Sequence, residues 1–233
     1  MQPDTVQAAA PPRSGAGPGE ERGLPLRLGE TATLVGEYRW IEHALYRQLG
    51  TWIPDTAVAA VQVHLDAQSM RHSWHAELWA ERLPVLTGAD PDGLTAPAPA
   101  TAALFSALSG EPPVATGAGS TWPPAGQVTE RPAALPRLAG LYRVVLPRIV
   151  VSYQRHLGVV SPFTDGPVAR ALRLVLNDEI EDWQAGERLV QRLVTRPHDV
   201  IAVHEFVQRL ESAVVGAGAR SGLVAFPASV PDA

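Results

Sequence analysis

The strongest periodicity in this chain is helical and recurs in five segments, which points to an all-α fold. The first segment runs from Thr31 to Leu49 and stops at Gly50, a residue suited to the left-handed end of a helix. Its inward stripe is Leu34, Glu37, Ile41, Ala44 or Leu45, and Gln48. The second is predicted from an Asp55 or Thr56 cap to Leu83, where Pro84 prevents continuation. Its stripe is Val58, Val61, Leu65, Ser69, His72, Ala76 and Trp79. At 1.5 Å per residue that helix would be roughly 43 Å long. The third runs from Pro136 to His156, and Pro147 is predicted to kink it unless a first turn starts there. The fourth starts at Thr164 or Asp165 and ends before Pro197, with the stripe Val168, Leu172, Val175, Glu179, Asp182, Gly186 and Leu189. The fifth, His198 to Val215, is amphipathic through Val200, Val203, Phe206, Val207 and Leu210.

Between the second and third segments, Val85 to Arg131 is crowded with Pro, Ala, Gly and Thr and is predicted to hold one short helix, Thr101 to Leu108. The chain divides into a disordered leader over 1–25, a helical domain over 26–217 and a C-terminal tail over 218–233. Within the domain, 84–133 is the long connection and 198–217 the fifth helix. Tyr46-Arg-Gln-Leu-Gly50 echoes Tyr153-Gln-Arg-His-Leu-Gly158, in keeping with two helical hairpins.

Composition removes whole classes of chemistry. The chain has no Cys, which excludes disulfides, thiolate metal sites and Cys nucleophiles. All nineteen basic side chains are Arg, so no Lys is present to form a Schiff base. A net charge of -5 gives no general attraction to phosphates, and nucleic acid is not the expected partner. The leader lacks the basic start and apolar centre of a signal peptide, and no apolar run spans a bilayer, so a cytoplasmic protein without membrane contact is expected. No dinucleotide loop, Gly-x-Ser-x-Gly turn or phosphate-binding loop is present.

Four polar residues stand on inward stripes where apolar ones belong: Glu37, His72, Glu179 and Asp182. A buried carboxylate without a partner is costly, so acids and a His from separate helices imply a shared metal, proton or hydrogen-bond network. Two readings stay open: one divalent metal held by Glu37, His72 and Glu179 with Asp182, or a metal-free network with Arg71, Tyr38 or Tyr153. His75 is read as a surface residue or a neighbour of the ligands. Trp40, Trp52, Trp74, Trp79 and Trp183 are read as core and hairpin packing, and His198 and His204 as surface or packing residues.

The stretch Gly36-Glu37-Tyr38-Arg39-Trp40-Ile41-Glu42-His43, the run Met70 to Trp79 and the segment Asp178-Glu179-Ile180-Glu181-Asp182-Trp183 resemble the ferritin-like, di-iron carboxylate superfamily. The resemblance implies a four-helix bundle with a long crossover between its second and third helices, here followed by an extra C-terminal helix. It also implies Glu, then Glu-x-x-His, then Glu, then Glu-x-x-His on successive helices. Glu37 matches the first Glu, His72 the first His and Glu179 the Glu of the second pair. Ser69 replaces a bridging Glu, Asp182 replaces a His, and the third helix offers only Val144 or Val145. Two cations ~3.5–4 Å apart need bridging carboxylates, so this set holds at most one divalent metal, Fe, Mn or Zn. The implied function is a scaffold, partner subunit or small-molecule binder, with a homodimer or another protein as partner. The alternative is a metal-dependent oxidoreductase or hydroxylase acting on tRNA or a small molecule, for which Arg143, Arg148, Arg155, Arg170 and Arg173 would supply a basic face.

Overall fold

The computed structural model describes residues 26–85, 88, 90–110, 134–161, 163–228 and 230. The leader over 1–25 and residues 111–133 of the connection lie outside the described residues. The described chain is all helical, with no strand among the described residues. None of its helices is long and apolar enough to cross a membrane.

Helix α1 spans Leu28–Trp52 and begins where the Arg27 amide donates to Glu30 at 2.7 Å. It is buried on most of its circumference, because the next helix, the short helices of the connection and Tyr153 of the third long helix all lean on it. Helix α2, Ala59–Ala80, starts later than the sequence suggests and has no side-chain cap. Asp55 is instead engaged by Arg137 at 3.1 Å, and the Thr56 carbonyl accepts from Gln62 Nε2 at 2.8 Å, so both residues belong to the turn. The shorter α2 is roughly 33 Å long. Val58, predicted on its inward stripe, is exposed.

Two short helices follow: α3, Pro91–Leu94, capped by Asp90, and α4, Pro99–Ser109, ended by Gly110 at φ 78. They settle on α1. Trp40 meets Phe105 edge to face with centroids 5.2 Å apart, and the Leu94 carbonyl lies so close to Gly36 that a Cβ there would sit 2.1 Å from it.

The third long rod is continuous: α5 (Ala134–Gly140), a π-helical turn (Leu141–Val145) and α6 (Leu146–Val159). The predicted disturbance at Pro147 takes the form of that turn, in which the Leu146 amide reaches back to the Leu141 carbonyl. The wider turn accommodates a residue that lacks an amide hydrogen and crowds the preceding carbonyls. Helix α7, Gly166–Leu193, starts with Pro167 in its first turn, and α8, Pro197–Gly216, starts where Asp199 accepts from the Arg196 amide at 2.9 Å.

The directions follow from contacts at the ends. Ala134, Arg137 and Leu138 share a cleft with Trp52, Thr56 and Leu65, so α5 begins beside the α1–α2 turn. Further along, Tyr142 donates to Gln68 at 2.7 Å and Tyr153 stacks on Trp79. The α5–α6 rod therefore runs parallel to α2, and the chain leaves α2 at one end and starts α5 at the other. Helix α7 returns antiparallel to both, pairing Asp182 with Arg71 and Asp178 with His75. Gly186 lets the Tyr142 ring fill this seam, since a Cβ there would lie 2.0 Å from the ring. Helix α8 packs Phe206 and Leu210 against Gly140, while Val200, predicted to face inward, is exposed. The tail covers α6: Ser152 Oγ accepts from the Leu223 amide at 3.0 Å, and Arg155 reaches the Val230 carbonyl at 2.9 Å.

Candidate metal centre

Helix α2 places His72 and His75 one turn apart on its inner face, where both are completely buried. From α1 comes Glu42, and from α7 Glu179, both also at 0% exposure. One donor atom from each of these side chains lies within 4.8 Å of all the others. His72 Nδ1 is 2.6 Å from Glu42 Oε2 and 3.3 Å from Glu179 Oε1. His75 Nδ1 is 3.4 Å from Glu42 Oε2 and 3.3 Å from Glu179 Oε1.

The surroundings orient this set. Tyr153 on α6 donates to the second Glu42 oxygen at 2.5 Å. Asp178, on the outer side of α7, sits 3.1 Å from His75 Nε2, which leaves Nδ1 to face the centre. Asp182, one turn beyond Glu179, is paired with Arg71 at 3.2 Å on the rim of the layer. Burial raises the Glu42 carboxyl, but the charges of His75 and His72 and their hydrogen bonds outweigh it and hold Glu42 at about 2. Burial lowers His75, yet Glu42 and Glu179 overcome that and raise it to about 11. His72 is raised by Glu179 and Glu42 against the same burial. Asp182 goes up to about 6 because its desolvation outweighs the attraction of Arg71, with Glu179 adding to the rise.

The structure brings together His72 and Glu179 of the four residues chosen from sequence, and moves the other two out. Glu37 lies on a different face of α1, where one oxygen accepts from Thr101 Oγ1 at 2.5 Å and the Ala98 amide at 3.1 Å. It ties the start of α4 to α1. Asp182 adjoins the cluster without joining it. His75, read from sequence as a surface or neighbouring residue, is at the centre of the set, and Glu42 was missed. The hairpin register carried the signal: Ser69 donates to the Tyr46 carbonyl at 2.9 Å, which sets Glu42 level with the turn from His72 to His75. Ser69 thus faces α1 and holds no bridging position. Tyr153 of the third rod reaches the Glu42 carboxylate with its hydroxyl, and the buried valines at 144 and 145 supply no donor to the set.

Other readings are settled by contacts. Trp52 and Trp79 are core residues and Trp40 and Trp183 are half-buried, but Trp74 is 47% exposed. His198 and His204 are surface residues, as expected. Arg143 pairs with Glu187, Arg148 with Glu211, and Arg155 lies over Phe226, so these three do not compose one open basic face.

A divalent metal can be tested against the donors present. Both Glu179 oxygens and His75 Nδ1 are buried and meet no hydrogen-bond partner outside the cluster. Such atoms are costly unless something else satisfies them. Donors around a tetrahedral ion with bonds of about 2.0–2.1 Å lie ~3.3 Å apart. Three of the separations here are 3.3 or 3.4 Å, and the residues fit one such ion once the direct 2.6 Å contact between His72 Nδ1 and Glu42 Oε2 opens to a similar spacing. Comparisons with protein-family models, with curated proteins and with solved structures find no match to this chain.

Proposed function

We propose that this chain is a divergent ferritin-like bundle whose function is carried by a single divalent metal held by Glu42, His72, His75 and Glu179. The helix directions support the fold assignment: two antiparallel pairs, α1 with α2 and α6 with α7, joined so that α2 and the α5–α6 rod run parallel. The observation that carries the metal reading is the convergence of four fully buried donors, some without any other partner.

Four protein donors leave no open coordination position in a tetrahedral site, the arrangement of structural rather than catalytic ions. The reading favoured is therefore a non-catalytic scaffold or partner subunit in which the site locks α1, α2 and α7 together. A bound ion would supply the positive charge that offsets Glu42 and Glu179. Two imidazoles and two carboxylates suit Zn, Fe and Mn alike. Within this frame Glu42 and Glu179 bind, Asp178 fixes the His75 ring, and Tyr153 holds the second oxygen of Glu42. The second reading, a mononuclear oxidoreductase, rests on Tyr153, a phenol held directly against a ligand.

Titration of the purified metal-free chain with Co²⁺, followed by its visible absorption and by elemental analysis, tests the reading. One equivalent per chain with a tetrahedral spectrum is expected. Zero or two equivalents would overturn it, and a five- or six-coordinate spectrum that changes with added small anions would favour the oxidoreductase.

A further inference from the structure

Helix α2 is apolar on two opposite sides. Its inner side carries Val61, Leu65, His72 and Trp79. Its outer side exposes Ala60, Val63, Ala67, Met70 and Trp74, with Val63 at 71%, Met70 at 62% and Trp74 at 47% exposure. The outer positions alternate by three and four residues, the spacing of a seam meant for another helix. An exposed apolar stripe of this length marks a binding surface, and nothing else in the described chain covers it.

We infer that this face binds a second copy of the chain, α2 against α2 in antiparallel register about a two-fold axis at the level of Gln68 and Ser69. The stripe is self-complementary only in that direction. Facing positions in an antiparallel pair have a constant sum of residue numbers. An axis at this level places Met70 opposite Ala67 of the partner subunit and Trp74 opposite Val63 of the partner subunit, large against small. The parallel alternative would stack each Trp on its own copy and leave the alanines facing a gap.

Charge on the flanking helix obeys the same axis. Arg71–Asp182 and His75–Asp178 fix how α7 lies along α2, and set the level of Gln68 and Ser69 beside Gln184 and Ala185. Glu181 and Arg188, both exposed and two turns apart on one face of α7, are equidistant from that level. The two-fold therefore sets each Glu181 level with an Arg188 of the partner subunit. A different protein partner would have no reason to match both symmetries.

The whole chain is cysteine-free, which makes the test direct. Sedimentation equilibrium of the full chain should give a dimer, and a monomer at about 100 µM overturns the inference. Met70→Glu and Trp74→Glu should each raise the dimer dissociation constant about 30-fold or more, with unchanged helical circular dichroism. Glu181→Arg alone should weaken the dimer by up to about fivefold, and adding Arg188→Glu should restore it. Under oxidation the double variant Ala67→Cys/Met70→Cys should cross-link and the single Ala67→Cys should not. Cross-linking by the single variant would show a parallel pair, and a dimer insensitive to Met70→Glu would place the interface elsewhere. Either result rejects the α2 two-fold.

Discussion

Glu37 and Glu42 lie little more than one turn apart on α1, and both are buried carboxylates, yet their surroundings make them opposite in kind. Glu37 meets neutral donors, the Thr101 hydroxyl and the Ala98 amide, and burial outweighs them so that its carboxyl is raised. Glu42 meets two imidazoles and a phenol and is held low. Burial alone therefore does not mark a ligand. What marks one is a set of partners that can change their own charge or be replaced by an ion.

Exchanging these residues is the sharpest way to break the comparison. Glu42→Ala should lower metal affinity by more than about 100-fold, since it removes a donor and leaves two buried imidazoles facing one acid. Glu37→Ala should leave affinity within about threefold. Isothermal titration with Zn²⁺ on both variants decides it, and equal losses would erase the distinction drawn here. Asp178→Asn comes next. An amide still meets His75 Nε2 but cannot enforce the same tautomer, and a loss of about tenfold in affinity is expected in the same titration, with one equivalent still bound.

The helices were legible because their period survives in the stripes, and the inward positions of His72 and Glu179 came with it. The choice between Glu37 and Glu42 was not. Helix α1 is buried nearly all round, so its stripe does not single out one acid, and the choice depends on how the hairpin registers. That register is set by a turn in which Asp55 and Thr56 serve the loop rather than the helix. The third rod was harder to read for a related reason. Its π-helical turn over Leu141–Val145 changes the phase of the helix, so the face that presents Tyr153 to Glu42 does not follow from one regular stripe. His75 was read as a surface or neighbouring residue, whereas its Nδ1 lies within 3.4 Å of both Glu42 and Glu179.

Glu37 has its own work, and its loss should appear in stability. Glu37→Ala removes the acceptor of the Thr101 hydroxyl and the Ala98 amide, and a cost of about 1–2 kcal/mol is expected in urea unfolding. Amide exchange should rise in α4 while the inner turns of α2 stay protected. Uniform loss of protection would mean that Glu37 supports the bundle as a whole.

The smallest effect is a difference of sign in acid, measured on the metal-free protein. Glu42 has a folded pKa near 2, below its unfolded value of 4.5. Its contribution is present above pH 4.5 and is lost as pH falls toward 2, because there the unfolded chain binds the extra proton. Glu37 has a folded pKa above 4.5, so the folded chain binds the extra proton between 4.5 and that raised value. Acidification through that interval favours the fold at Glu37 and, once below 4.5, disfavours it at Glu42. Glu42→Gln should flatten the loss of stability between pH 4.5 and 2. Glu37→Gln keeps an oxygen for Thr101 and Ala98 while removing the buried charge. It should therefore be better tolerated at pH 7 than at pH 4, by less than about 1 kcal/mol. Urea midpoints of both variants at pH 7, 4 and 2.5 measure this. If the two glutamines changed the pH profile in the same direction, the contrast between the carboxylates would be one of position along α1 rather than of electrostatic kind.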